Sequence, residues 1–170
     1  MDDLIYNQKD IPKEQWRYGF RSSASVGCGW IATYNALHLL GYHARIPELI
    51  SYYEHQVPLL NGSLGTMLWG PYQCFRHWGF PARMLFSRDR FDDAARKAPV
   101  CILFYYWKKG LKIGAHFVAL RYNGSQFVGF NTYTGSKGPD FYGPSLQEFL
   151  LSRGYFGAVL TAIYERPAES

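Results

Sequence analysis

A chain of 170 residues with 48% hydrophobic residues is long enough to bury a core of its own and too apolar to stay disordered. The formal net charge of +5 is spread along the chain, and its densest basic group, Lys108-Lys109-Gly110-Leu111-Lys112, reads as a solvated loop between strands, so no nucleic-acid partner is expected. No run of about 20 apolar residues is present to span a membrane, and three widely spaced cysteines, Cys28, Cys74 and Cys101, argue against both a disulfide framework and a thiolate zinc site, so neither metal nor cofactor is expected.

The N-terminus, Met1-Asp2-Asp3-Leu4-Ile5, is acidic and lacks a basic-then-apolar leader pattern, so a cytoplasmic location is expected. The chain reads as irregular to about Val26. Small residues then lead into Ser25-Val26-Gly27-Cys28-Gly29-Trp30, and an apolar helix follows from Trp30 to Leu40, closed by Gly41. A cysteine at the mouth of a helix meets free backbone N–H groups and the positive end of the dipole, and both favour thiolate over thiol. Pro47 opens a second helix running to Glu54. Asn61-Gly62-Ser63 reads as a loop, and a third helix is predicted from Thr66 to Trp78, ending at Gly79.

The second half changes character. Ala82 to Ser87 reads as a strand and Asp89 to Lys97 as a short helix. Strands are predicted over Val100–Trp107, Ala115–Tyr122, Ser125–Asn131 and Gly157–Tyr164, with a helix near Pro144–Leu150 before the last of them. Helices first and strands second predict an α+β fold with a largely antiparallel sheet, in a single domain spanning residues 1–170. Cys74 and Cys101 lie in apolar segments and read as small buried hydrophobes.

A reactive thiol needs a base. His116 sits in the apolar strand Gly114-Ala115-His116-Phe117-Val118, and Asn131 ends the next strand in Gly129-Phe130-Asn131-Thr132. Asn123-Gly124 between them is a strong hairpin signal. Read as a two-residue turn, it pairs Leu120 with Phe127, Val118 with Gly129, and His116 with Asn131. The Asn131 side-chain oxygen would then accept one ring N–H and free the other nitrogen for the thiol proton. His38, His43, His55 and His77 have no such partner in sequence and read as poorer bases.

These motifs, Gly27-Cys28-Gly29-Trp30-Ile31-Ala32, Gly114-Ala115-His116-Phe117-Val118 and Gly129-Phe130-Asn131-Thr132, resemble those of papain-like cysteine peptidases. The resemblance is greatest to the compact bacterial branch that includes bacteriocin double-glycine leader peptidases. It implies a papain-like fold, with the nucleophile helix packed on a mostly antiparallel sheet. It also implies a peptide or protein substrate, Cys28 as nucleophile, His116 as general base and Asn131 as its orienter. Leader peptidases of the branch usually carry Asp at the third position, as this chain does not. The family also places an oxyanion-stabilising Gln about half a dozen residues before the cysteine, where this chain has Ser22. Gln15, thirteen residues upstream, is the nearest candidate for that donor. The expected activity is hydrolysis of a peptide or isopeptide bond. The alternatives are a transglutaminase-like acyl transferase and a non-catalytic peptide-binding domain.

Overall fold

The computed structural model describes residues 4–56 and 66–167. The predicted loop at Asn61-Gly62-Ser63 lies outside the described residues. The leading segment is less irregular than its sequence suggests. It holds a 3-10 turn over Gln8–Asp10, a small ribbon of β1 (Arg17–Tyr18) and β2 (Arg21–Ser22), and a single-turn helix α1 (Ser23–Val26). Helix α2 (Cys28–Leu39) follows at once, then α3 (Ile46–Gln56) and α4 (Gly70–His77). The predicted third helix loses its first turn, because Pro71 sits at the N-terminal position that proline favours.

Helix α2 is central. Every residue from Gly29 to Leu37 is buried, so its sequence carries no polar face. It stops where Gly41 takes a left-handed φ of 79°, allowing the Gly41 and Tyr42 N–H groups to satisfy the carbonyls of His38 and Leu37 at 2.9 Å each. At its start, Trp30 Nε1 donates to Ser23 Oγ (3.1 Å), tying α2 to α1.

The second half builds one sheet from β3 (Ala82–Leu85), β4 (Val100–Lys109), β5 (Lys112–Tyr122), β6 (Phe127–Phe130), β7 (Asp140–Gly143) and β8 (Gly157–Ile163). Their order across the sheet is β3-β8-β4-β5-β6-β7, and every pairing is antiparallel. Alternation along β5 sends Phe117 and Ala119 into a core shared with α2, α3 and α4. Val118 and Leu120 enter a second core with α5 (Phe91–Lys97) and α6 (Leu146–Ser152). The sheet is therefore covered on both faces. Cys74 and Cys101 are fully buried, one in each core. The α+β architecture expected from the sequence, with the Cys28 helix on an antiparallel sheet, is the one observed.

The register of the β5–β6 hairpin differs from expectation. Asn123 Oδ1 accepts from Ser125 N–H (3.1 Å), Ser125 Oγ (3.0 Å) and Gln126 N–H (2.9 Å). The Asn123 N–H in turn donates to the Gln126 carbonyl (3.1 Å), with Gly124 at φ 96°. The connection therefore takes four residues instead of two. Tyr122 pairs with Phe127, Leu120 with Gly129 and Ala119 with Phe130. A shift of two residues preserves which face each side chain meets, but it ends the ladder at Ala119 and leaves His116 without a ladder partner on that side.

Candidate active site

Because β5 runs on past the end of β6, residues before Ala119 present a free strand edge. The mouth of α2 is seated there. The Cys28 sulfur lies beside the backbone N–H groups of Phe117, the residue after His116, of Gly29 and of Cys28 itself, each of which favours the anion. Gly29 lets Thr66 close on the helix mouth: a β-carbon there would stand 2.1 Å from Thr66 Oγ1.

Asn131 closes the arrangement by a route that the sequence reading missed. The chain leaves β6 with Asn131 in the left-handed region, φ 68°, which asparagine tolerates better than most residues. That turn aims its backbone carbonyl at His116, and Nε2 donates to it at 2.6 Å. The ring contact expected of the Asn131 side chain is thus made by the main chain. A carbonyl can only accept, so the proton is on Nε2 and the lone pair is on Nδ1. The Asn131 side chain faces the N-terminal segment instead. Its Oδ1 accepts from the Gln8 N–H (2.8 Å), and its Nδ2 donates to Gln8 Oε1 (3.4 Å).

Electrostatics at the site also depart from expectation. Burial pushes the Cys28 thiol above its ordinary value, and the three backbone N–H groups only partly oppose this. Burial likewise holds the His116 imidazole below its ordinary value, with the Asn131 carbonyl pulling it partly back up. Both shifts run towards the neutral forms, thiol and imidazole. Among the described residues no hydrogen bond joins the Cys28 sulfur to the ring.

Gln15 is exposed on the turn after Pro12 and lines a different cavity, beside Ile5, Trp16 and Ile46. The structure does not bring it to His116. Gln8 is brought there: it shares a cavity of about 330 Å³ with His116 and Asn131, and its Nε2 donates to the Ala24 carbonyl in α1 (3.2 Å). Tyr105, Trp107 and Tyr155 wall the same cavity. The other histidines are engaged elsewhere. His38 and His43 face each other (3.4 Å), His55 Nδ1 meets the Ser51 carbonyl, and the His77 ring lies against Tyr52. Among the described residues, no group of three or more His, Cys, Asp or Glu could hold a metal ion. No described helix is long and apolar enough to cross a membrane.

No family model matches the chain, and no curated protein matches it. Among solved structures, it is similar to the peptidase domain of Streptococcus ComA, described as a bifunctional ABC transporter involved in a quorum-sensing pathway. The two align with a TM-score of 0.54 and 15% sequence identity, over 81% of this chain and 92% of that one. At this identity the similarity is one of fold: a six-stranded antiparallel sheet flanked by helices, shared with a peptidase domain.

Proposed function

We propose that the protein is a cysteine peptidase of papain-like type, in which Cys28 is the nucleophile and His116 the base. The reading is carried by one observation: the Asn131 carbonyl fixes the His116 proton on Nε2, leaving Nδ1 free, while the Cys28 sulfur lies at the backbone of the adjacent residue, Phe117. The peptidase-domain fold supports it.

The chemistry follows from the neutral pair. As the Cys28 sulfur attacks the scissile carbonyl, its proton passes to His116 Nδ1. The resulting imidazolium is held by the Asn131 carbonyl. The tetrahedral oxyanion collapses to a thioester on Cys28, and Nδ1–H protonates the departing amine. Water, deprotonated by the same nitrogen, then releases the acyl group and restores the thiol. Asn131 acts as a positioning residue through its backbone, and its side chain secures the Gln8 segment.

The oxyanion needs donors. The backbone N–H of Cys28, at the helix mouth, is one. Gln8 is the better candidate for the second, in place of Gln15. Its Nε2 carries two protons and commits one to Ala24, in the helix immediately before Cys28. Loss of one such donor typically removes about 3 kcal/mol of transition-state stabilisation.

The test is covalent labelling with a peptidyl acyloxymethyl ketone, followed by peptide mapping. Labelling of Cys28 that is abolished by His116→Ala and reduced by Gln8→Ala is the expected result. Labelling that is indifferent to His116 would remove the base and, with it, the hydrolytic reading.

A further inference from the structure

The cavity against His116 has a composition that the proposed chemistry does not require. Three aromatic rings rise in series from the imidazole. Tyr105 is the cross-strand partner of His116, with ring centroids 5.9 Å apart. Tyr155 stacks on Tyr105 at 4.4 Å and an interplanar angle of 13°, and Trp107 approaches Tyr155 at 5.8 Å. Tyr133 adds a fourth ring to the lining, and Arg153 stands over it at 5.3 Å.

The wall is built in, not incidental. A β-carbon on Gly114 would stand 2.4 Å from the Trp107 indole, so the ring lies directly on the β5 backbone two residues before His116. Trp107 can take that place because position 114 has no side chain. Tyr105 is almost wholly buried, at 1% exposure, and anchors the base of the series. The rings are therefore ordered before anything binds, which lowers the entropic cost of binding.

Charge narrows what the cavity accepts. Among the described residues that line it there is no Asp, Glu, Lys or Arg. Besides the His116 imidazole and the Trp107 indole, the polar groups are amides and hydroxyls, Thr134 among them. A cationic side chain would be desolvated there without a partner, and Arg153, standing over Tyr133, would repel it. A flat apolar side chain would meet ring faces and edges that favour stacked or T-shaped contact. A volume of about 330 Å³ is at the small end of ligand cavities, which suits one side chain rather than an extended segment.

We infer that this cavity is a substrate subsite selecting peptides with an aromatic side chain close to the scissile bond, through Trp107 and Tyr155. The inference rests on the peptidase reading for what the occupant is, while the cavity itself exists independently of it.

The experiment uses the full chain and a positional-scanning set of capped, internally quenched neutral peptides. One position should prefer Phe or Tyr over Ala by roughly 10- to 100-fold in kcat/KM, and should reject Lys. Trp107→Ala and Tyr155→Ala should each reduce that Phe-to-Ala ratio at least fivefold. The ratio is read within one preparation, so a smaller folded fraction cancels. Turnover without aromatic preference at any position, or a preference that neither variant alters, overturns the inference. If no peptide is cleaved, the peptidase reading fails, and the subsite is judged on binding to Cys28→Ala protein. There, Phe-containing peptides should bind roughly tenfold tighter than their Ala counterparts, an advantage lost in Cys28→Ala/Trp107→Ala. Equal affinities would overturn it.

Discussion

At the scale of single residues, the site depends on Asn131 taking a conformation that most side chains resist. Glycine at 131 would keep the left-handed backbone, and hence the carbonyl at His116, while losing only the tie to Gln8. Alanine loses the same tie and adds a conformational strain of about 1–2 kcal/mol. Asn131→Gly should therefore retain more activity and a higher melting temperature than Asn131→Ala. The reverse order would mean that the left-handed backbone at 131, and the carbonyl it aims, does not matter to the ring. The neutral resting pair also has a kinetic signature. As the proposed base, His116 would have to be unprotonated to take the thiol proton, and its pKa is depressed, so the acid limb of kcat/KM should lie below pH 6.5. Alkylation of Cys28 by iodoacetamide should lack a thiolate plateau near neutrality and should keep rising beyond pH 9, because burial raises the thiol. A flat alkylation profile from pH 5 to 8 would instead reveal a preformed ion pair.

At the scale of elements, the decisive feature is the length mismatch between β5 and β6. Four ladder pairs join them, and the rest of β5 is left to meet the mouth of α2. The sequence announced α2 clearly, since glycines at 27, 29 and 41 bracket an apolar run, and it announced β4 and β5 through their β-branched and aromatic residues. It did not announce where the β5–β6 ladder would begin. That depended on the Asn123 side chain capping its own loop, which extends a nominal two-residue turn to four. Gln8 was illegible for a related reason: it lies twenty positions before Cys28, across a ribbon and turns, and only the hydrogen bonds to Asn131 and Ala24 bring it back. β7 is four residues long and follows a segment of Gly, Ser and Lys, too short to show a period. Away from the site, α6 is held by Ser145, whose hydroxyl accepts from Glu148 N–H (3.2 Å) and donates to Asp92 of α5 (2.6 Å). Ser145→Ala should cost about 1–2 kcal/mol, read as a shift in the urea midpoint at unchanged m-value.

At the scale of the whole molecule, two cores share one sheet, and buried titratable groups in both set limits on pH. His116 has a depressed folded-state pKa, so its contribution is fully present above about 6.5, the ordinary histidine value, and is lost as pH falls from there through the folded-state value. The thiols of Cys28, Cys74 and Cys101 are all raised by burial. Their contribution is fully present below about 9, the ordinary thiol value, and is lost as pH rises beyond it. Tyr52, pushed by burial up to about 12, extends the alkaline loss. Chemical denaturation should therefore give a stability plateau between about pH 6.5 and 9 that declines on both sides. Cys101→Ala should soften the alkaline decline, whatever it does to the plateau itself.

The raised thiol of Cys28 has a consequence beyond the proposed peptide chemistry. Peroxides oxidise sulfur as the anion, and a thiol kept neutral by its surroundings reacts slowly with them. Hydrogen peroxide should thus inactivate the resting protein slowly, whereas an acylating substrate would draw out the same sulfur’s nucleophilicity within the site. The burial that delays ionisation would shield the molecule from oxidative stress until a substrate arrives.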